Sequence, residues 1–191
     1  MIQQFSFEPT GIEGLVLVNP FCAEDNRGFY LKSFSERVFR EQGYQFSTME
    51  ISYTRSHKGV VRGLHFQYRH GQPKMSRCVC GRVFDVVIDM RKGSPTQGKW
   101  FGLEMTPENR KSLFIPAGFA HGSLALEEGS ILIYESAENY YPEYDVGVSW
   151  DDPDVGILWP ADQVEEIILS EKDQHLMSYR EFIRAYGGVS V

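Results

Sequence analysis

The chain has 191 residues and a formal net charge of −7, and 42% of its residues are hydrophobic and 14% aromatic. This length suits one domain with an ordinary core, and 18 glycines and 9 prolines favour a turn-rich β protein over a helical bundle. Acidic residues are scattered and Lys and Arg form no run, which argues against a nucleic-acid-binding surface.

The sequence also indicates where the protein works. The first residues, Met1 to Phe5, lack the basic and apolar regions of a signal peptide, and no apolar run approaches the ~18 residues that a membrane span needs. The three cysteines, Cys22, Cys78 and Cys80, are too few for a disulfide framework and favour a reducing compartment. We therefore predict a cytoplasmic protein with neither a membrane nor a nucleic acid as partner.

In chain order, residues 12–18 predict a strand, and a turn at 25–28 leads into a second strand. Ser33 with Glu36 three residues later predicts a capping box, at the start of a helix that Gly43 ends. Turn residues then separate eight further predicted strands: 47–54, 60–67, 74–80, 82–90, 99–105, 111–115, 122–126 and 130–137. So many short strands predict a closed barrel or a two-sheet jelly roll that can hold a small ligand inside.

The end of the chain has a different pattern. Beyond residue 145 it is rich in Asp, Pro and Trp, and apolar residues then recur at helical spacing before Gly187. Ser170 followed by acidic residues is typical of a helix start. We predict a helical segment over 171–187 that covers an open end or a flank of the barrel.

The strand at 60–67 carries the first candidate for chemistry. Alternation puts His65 and Gln67 on one face and Arg62 on the other. Arg62 can share a side with His65 only if Gly63 forms a bulge, or if Arg62 acts from the rim. On this stretch alone, His65 is either a hydrogen-bonded core histidine or a general base.

Neighbouring strands supply further polar candidates. A hairpin between strands 60–67 and 74–80 would bring Lys74 close to His65. Asp85 alternates with apolar residues, and an inward carboxylate needs a partner such as a histidine. Tyr134 is either a proton donor in the cavity or an aromatic core residue with a bonded hydroxyl.

The stretch 115–122, Ile-Pro-Ala-Gly-Phe-Ala-His-Gly, resembles the second motif of cupin barrels. In metal cupins the first motif supplies two histidines and a downstream carboxylate. Here that motif contains His65 and Gln67, and Lys74 occupies the position of the carboxylate ligand. A lysine ammonium group would repel a metal ion, so this position argues against a metal site. We predict an all-β, cupin-type jelly roll with a few short flanking helices, a single domain over 1–191, and acid–base residues in place of a metal.

Several motifs in order along the chain resemble the dTDP-4-dehydrorhamnose 3,5-epimerase family of nucleotide-sugar enzymes. They extend from about residue 12 to residue 175. The matching pieces are Asp-x-Arg-Gly-Phe at 25–29, Gly-Val-Val-Arg-Gly-Leu-His-Phe-Gln at 59–67, Lys74, Phe-Asp-Val-Val-Ile-Asp-Met-Arg-Lys-Gly-Ser-Pro at 84–95, the cupin motif at 115–122, Tyr134, Trp-Asp-Asp-Pro at 150–153 and Ser-Glu-Lys-Asp at 170–173.

The resemblance implies a cofactor-independent isomerase that epimerises a nucleotide-linked 4-keto-6-deoxyhexose at C3, C5 or both. Its product would enter a surface polysaccharide or another glycosylated compound. The resemblance also implies a metal-free homodimer in which the N-terminal strands, within residues 1–35, cross to the partner.

It further implies residue roles. His65 would be the base, held in its tautomer by Asp173; Lys74 would stabilise the enolate, and Tyr134 would return a proton from the opposite face. Arg62, with Arg27 from the partner chain, would bind the diphosphate, and Asp85 would support His121. The other implied substrate contacts are Phe29, Lys32, Glu50, Ser52, Gln67, His121, Tyr140 and Lys172.

Three positions depart from the family pattern. Where it has Glu, Gln and Asn near the nucleobase, this chain has Lys32, Glu50 and Ser52. An ionised Glu50 only accepts hydrogen bonds, so it matches the amino donors of guanine or cytosine better than thymine. The hypothesis is a nucleotide other than dTDP; the alternative is that these side chains lie outside the pocket.

Two rival functions stay open. One is a metal-dependent cupin enzyme that uses His65, Gln67 and His121. The other is a cupin that binds a sugar nucleotide without catalysis.

Overall fold

A computed structural model describes residues 4–191. Its strands are β1 Ser6–Pro9, β2 Val16–Asn19, β3 Phe21–Asp25, β4 Gly28–Lys32, β5 Glu50–Ser56, β6 Val61–Gln67, β7 Lys74–Cys80, β8 Val83–Asp89, β9 Trp100–Met105, β10 Ser112–Ile115, β11 Phe119–Ala125, β12 Ser130–Ser136 and β13 Asp145–Gly147. Its helices are α1 Glu36–Glu41 and α2 Tyr179–Tyr186, with short 3₁₀ turns at Pro142–Tyr144, Ala161–Gln163 and Asp173–His175.

The strands form two large antiparallel sheets and a hairpin. One sheet has six strands in the order β1-β2-β10-β7-β12-β5, the other has five in the order β13-β6-β11-β8-β9, and β3 pairs with β4. Buried side chains of both sheets pack together, with Cys78 and Leu132 on one side and Val87 and Phe119 on the other. This two-sheet arrangement confirms the predicted all-β, cupin-like jelly roll.

The C-terminal helix covers the outer face of the five-stranded sheet. Phe182 of α2 is fully buried, and its ring meets that of Phe66 edge-on at 5.0 Å. The helix is well capped, because Ser178 and Glu181 form a capping box and Gly187 ends it with φ 72°. The predicted segment 171–187 is therefore a 3₁₀ turn and a separate helix, and the helix covers a flank of the sandwich.

The first helix starts differently from the prediction. Its N-cap is Ser35, which makes no side-chain capping bond, so the capping box predicted at Ser33 was wrong. The helix is held instead by Phe39, which is fully buried and packs edge-on against Phe34 at 5.0 Å. Aromatic packing stabilises this short helix in place of a cap.

Two strand boundaries also differ. The strand predicted at 12–18 begins only at Val16, because the preceding residues form a turn in which Leu15 N donates to Ile12 O at 3.1 Å. β11 begins at Phe119, three residues before its predicted start, and His121 pairs with Val87 of β8. The early start puts His121 inside the sheet. Among the described residues, 4–191, no helix is long and apolar enough to cross a membrane.

Candidate active site

A cavity of about 820 Å³ lies between the two sheets, a size typical of small-molecule sites. β5, β7 and β12 line it from one sheet, and β6, β11 and β13 from the other. Eleven of the predicted site residues line this cavity: Glu50, Ser52, Arg62, His65, Gln67, Lys74, His121, Tyr134, Tyr140, Lys172 and Asp173.

A bulge in β6 decides the position of Arg62. His65 pairs with His121 and Arg62 pairs with Ser123, so β6 has one more residue than β11 between these two pairs. Gly63 takes up the extra residue with φ 102°, a region that residues with a side chain rarely adopt. The bulge shifts the alternation of the strand, and Arg62 and His65 therefore both line the cavity.

His65 forms a dyad with Asp173. Its Nε2 lies 2.6 Å from Asp173 Oδ1, and the exposed fraction is 32% for the His65 side chain and 5% for Asp173. An ionised carboxylate only accepts hydrogen bonds, so Nε2 carries the proton and Nδ1 keeps a lone pair. The backbone N–H of Asp173 donates to Ser170 Oγ at 3.1 Å, which fixes the start of its 3₁₀ turn. The arrangement is that of a general base with an orienting carboxylate.

A second histidine–carboxylate pair lies deeper. His121 Nε2 is 2.8 Å from Asp85 Oδ1, and Ser76 Oγ donates to Asp85 Oδ2 at 2.7 Å. Asp85 is fully buried and reaches the cavity only through His121, whose ring meets that of Tyr134 edge-on at 5.7 Å. The pair supports the wall of the cavity.

Lys74 lies in the sheet opposite His65. The predicted hairpin between β6 and β7 was wrong, because β7 pairs with β10 and β12 whereas β6 pairs with β11 and β13. The two side chains still line one cavity, from opposite sheets. Burial lowers the pKa of Lys74 from its usual range, and the charges of Asp145 and Asp85 oppose that fall. The amino group of Lys74 thus shares the cavity with the dyad.

Tyr134 is suited to donate a proton. Burial, reinforced by the charge of Asp85, raises the pKa of its phenol to about 12, while the hydroxyls of Thr54 and Ser123 act in the opposite direction. The phenol is therefore protonated at neutral pH. Its place on β12, in the sheet opposite His65, makes it a separate acid.

Sequence reasoning missed Asp145, which binds two of the predicted residues. Its Oδ2 accepts hydrogen bonds from Tyr140 Oη at 2.9 Å and from Lys172 Nζ at 2.6 Å. It also lines the cavity near Lys74. No alternation pattern surrounds this residue, because β13 is only three residues long.

Gln67 lines the cavity, but its side-chain amide is hydrogen-bonded to backbone groups. Its amide group donates to the carbonyls of His70 at 2.6 Å and Asn139 at 3.3 Å, and its oxygen accepts from the N–H of Tyr141. The Gln67 side chain therefore ties the connection after β6, at His70, to the loop that carries Tyr140. Within residues 4–191, no group of three or more His, Cys, Asp or Glu side chains is arranged to hold a metal ion.

Three predicted substrate contacts lie outside the cavity of this chain, on the β3–β4 hairpin. The Arg27 side chain is 85% exposed and pairs with Asp25 at 2.6 Å. Phe29 packs under the guanidinium of Arg110, and Lys32 lies over a neighbouring ring of the hairpin. Within one chain, Arg27, Phe29 and Lys32 do not line the cavity, so their contact with substrate stays a prediction that requires a partner chain.

Comparisons with known proteins identify the family of this chain. The family model for dTDP-4-dehydrorhamnose 3,5-epimerase matches residues 9–181. The dTDP-4-dehydrorhamnose 3,5-epimerase of Methanothermobacter thermautotrophicus is 43% identical over 178 residues, which cover 93% of this chain and 96% of that protein.

Solved structures have the same fold. The dTDP-6-deoxy-D-glucose-3,5-epimerase of Legionella pneumophila, in complex with dTDP-4-keto-L-rhamnose, superposes with a TM-score of 0.87 at 35% identity, covering 92% of this chain and 93% of that one. A 4-keto-6-deoxy sugar epimerase from the novobiocin biosynthetic gene cluster of Streptomyces spheroides gives a TM-score of 0.91 at 33% identity, covering 98% and 94%.

A two-sheet jelly roll with a small-molecule-sized cavity between its sheets defines a cupin-like protein. The match of residues 9–181 to the family model, together with the 43% identity to the Methanothermobacter relative, specifies the family. The chain belongs to the dTDP-4-dehydrorhamnose 3,5-epimerase family.

Proposed function

We propose that the protein epimerises a nucleotide-linked 4-keto-6-deoxyhexose at C3, C5 or both, by proton removal and return. The single observation that carries this proposal is the His65–Asp173 dyad, which shares one cavity with Lys74 and Tyr134 of the opposite sheet. The Legionella relative in complex with dTDP-4-keto-L-rhamnose supports the substrate class.

The mechanism follows from the acidity of a carbon next to a ketone. Removing its proton moves negative charge onto the C4 oxygen, so a base and a cation directed at that oxygen both lower the barrier. His65 takes the proton, and the ammonium group of Lys74 stabilises the enolate oxygen. Tyr134 returns a proton from the other face, which inverts the centre. Arg62 holds the diphosphate.

Solvent exchange tests the function directly. Incubation of dTDP-, GDP- and CDP-4-keto-6-deoxyglucose with the enzyme in D₂O should place deuterium at C3, C5 or both, as read by NMR at each position. The pattern of labelled positions also shows which centres are inverted. Binding without exchange for all three nucleotides would support a non-catalytic cupin, and activity that a chelator abolishes would support the metal enzyme.

We further propose that Glu50 favours a nucleobase that presents amino donors. The support is that Glu50 and Ser52 lie on β5 and line the cavity, whereas Lys32 lies outside the cavity of this chain. An ionised carboxylate accepts from the amino group of guanine or cytosine, whereas the carbonyls of thymine repel it.

The matching prediction concerns Glu50→Gln. The amide should raise kcat/KM for the dTDP sugar relative to the GDP or CDP sugar by about tenfold, because one hydrogen-bond mismatch is removed. The ratio of kcat/KM values measures the effect, and Glu36→Gln on the exposed start of α1 is the control. A wild-type enzyme that clearly prefers dTDP contradicts the proposal.

We also propose that the enzyme is a homodimer in which the β3–β4 hairpin reaches the partner's cavity. The edge strand β5 exposes 70% of Ile51 and 72% of Tyr53, an apolar surface of the kind that marks an interface. Such an exchange would bring Arg27 to a diphosphate. Of the segment 1–35 predicted to cross, residues 1–3 lie outside the described residues. The molar mass in solution, with Tyr53→Asp expected to give monomers, tests the dimer.

We place the protein in the cytoplasm. The support is that Cys22, Cys78 and Cys80 are all free thiols, as expected in a reducing compartment.

A further inference from the structure

Residues 164–173 form a strap that crosses the start of β6 and supplies part of the cavity wall. The strap pairs with backbone ahead of the strand, because Ile168 N donates to Gly59 O at 2.9 Å and Val61 N donates to Ile168 O at 3.0 Å. At its other end, Lys172 pairs with Asp145 at 2.6 Å. The strap residues that line the cavity are Ile168, Leu169, Ser170, Lys172 and Asp173.

At Gly59 the strap lies directly against the chain that leads into β6. Its φ is +88°, a value that residues with a side chain rarely adopt. A Cβ at this position would overlap the carbonyl oxygen of Glu166 in the strap. That oxygen belongs to backbone, so the overlap cannot be relieved by turning a side chain. Any side chain at residue 59 therefore has to displace the strap.

We propose that Gly59 is a positioning residue for the His65–Asp173 dyad. By letting the strap lie against the backbone at the start of β6, Gly59 sets the point from which the strap reaches Asp173. The carboxylate then lies 2.6 Å from His65 Nε2. This inference rests on the proposed function, since the role of the dyad is measured through turnover.

The physical reason is that the hydrogen bond between His65 and Asp173 is lost when its partners move apart by a short distance. Asp173 is five residues beyond Ile168, and between them its turn is fixed through Ser170 Oγ. A strap displaced near Glu166 carries this whole segment with it, by more than the few tenths of an ångström, roughly, that a short hydrogen bond tolerates. Misplacement of a catalytic group by about 1 Å can reduce turnover by about 10²-fold.

The test compares Gly59→Ala with Gly156→Ala. Gly156 has a similar backbone strain, with φ +63°, but its Cβ would meet nothing closer than Pro153 O at 3.8 Å. We expect Gly59→Ala to lower kcat by about 10- to 100-fold with a smaller change in KM. Gly156→Ala should keep the wild-type kcat. Both are assayed in D₂O exchange below the melting temperature of the less stable variant.

A double-mutant cycle separates positioning from general damage. If Gly59 acts through Asp173, Gly59→Ala should add less than about twofold to the loss in kcat caused by Asp173→Asn. Fully additive losses, or a Gly59→Ala enzyme with normal kcat, overturn the inference.

A second variant covers the case in which Gly59→Ala does not fold. Ser170→Ala removes the acceptor of the Asp173 N–H, and Ser170→Thr restores it. We expect Ser170→Ala to lower kcat, to add little to the loss already caused by Asp173→Asn, and Ser170→Thr to recover the wild-type kcat. If the threonine variant does not recover kcat, the positioning of Asp173 by the strap is rejected. A wild-type enzyme without exchange at C3 or C5 would instead reject the proposed function itself.

Discussion

Replacing His65 with asparagine is expected to lower kcat by about 10²- to 10⁴-fold and to remove deuterium exchange at C3 and C5 together. An amide is not a base, so it cannot take the proton that the free nitrogen of the imidazole receives. Asp173 would still be present, 5% exposed, but would orient nothing basic. NMR spectra of the substrate in D₂O, recorded at successive reaction times, measure both kcat and the deuterium exchange at C3 and C5.

The surface offers a matched control in His57. Its Nδ1 lies 2.7 Å from Glu128 Oε1, so it is also a histidine paired with a carboxylate, but its side chain is 78% exposed. His57→Asn should therefore keep wild-type exchange. A His65→Asn enzyme that still exchanges at the wild-type rate would show that the base is another group.

Replacing Lys74 with methionine is expected to lower kcat by about 10²- to 10³-fold, the loss typical of removing one donor to a developing oxyanion. KM should change less, because the charge on the ketone oxygen develops mainly in the transition state. Steady-state kinetics measures the split between the two constants. Lys99→Met, on an exposed lysine, is the control and should behave as wild type.

The pH dependence of the wild-type enzyme should also identify Lys74. Its active form is the ammonium ion, which is present below its pKa and lost as the pH rises through that value. Since burial lowers the pKa of Lys74, the alkaline loss of kcat should occur below the pH at which an exposed lysine titrates, about 10.4. Tyr134, with a pKa of about 12, loses its proton later.

The titratable groups that surround Lys74 in the cavity must be considered in the same experiment. They are Glu50, Arg62, His65, His121, Tyr134, Tyr140, Asp145, Lys172 and Asp173, with Asp85 behind His121. Asp145→Asn should move the alkaline loss to lower pH, because it removes a charge that raises the pKa of Lys74. Lys74→Arg keeps its charge and should move the loss upward. If the pH profile of kcat is unchanged in both variants, the alkaline loss of kcat belongs to another group.

The sequence predicted which strand residues share a face, because alternation is a local property of extended backbone. It put His65 and Gln67 on one face and predicted Asp85 as an inward carboxylate, and these three residues lie in or beside the cavity. Strand pairing is not local. The chain between β6 and β7 is short enough for a hairpin, yet it crosses from one sheet to the other.

Other features required tertiary information. Arg62 shares a side with His65 only through the bulge at Gly63, which alternation left open. Asp145 was not predicted, because its hydrogen bonds form only in the folded chain, where the nearby Tyr140 and the more distant Lys172 both donate to it.

Because the site is divided between two sheets, the hydrophobic core between them also sets the distance between the site residues. His65 and Lys74 lie in different sheets, so their separation depends on the thickness of the packing between the sheets. Val87, Leu132 and Met105 contribute to that packing and have no chemistry of their own. They act as spacers, and trimming one of them would change the reach of the base toward the substrate as well as the stability of the fold. In this molecule the tuning of reaction geometry extends to residues that never meet the sugar.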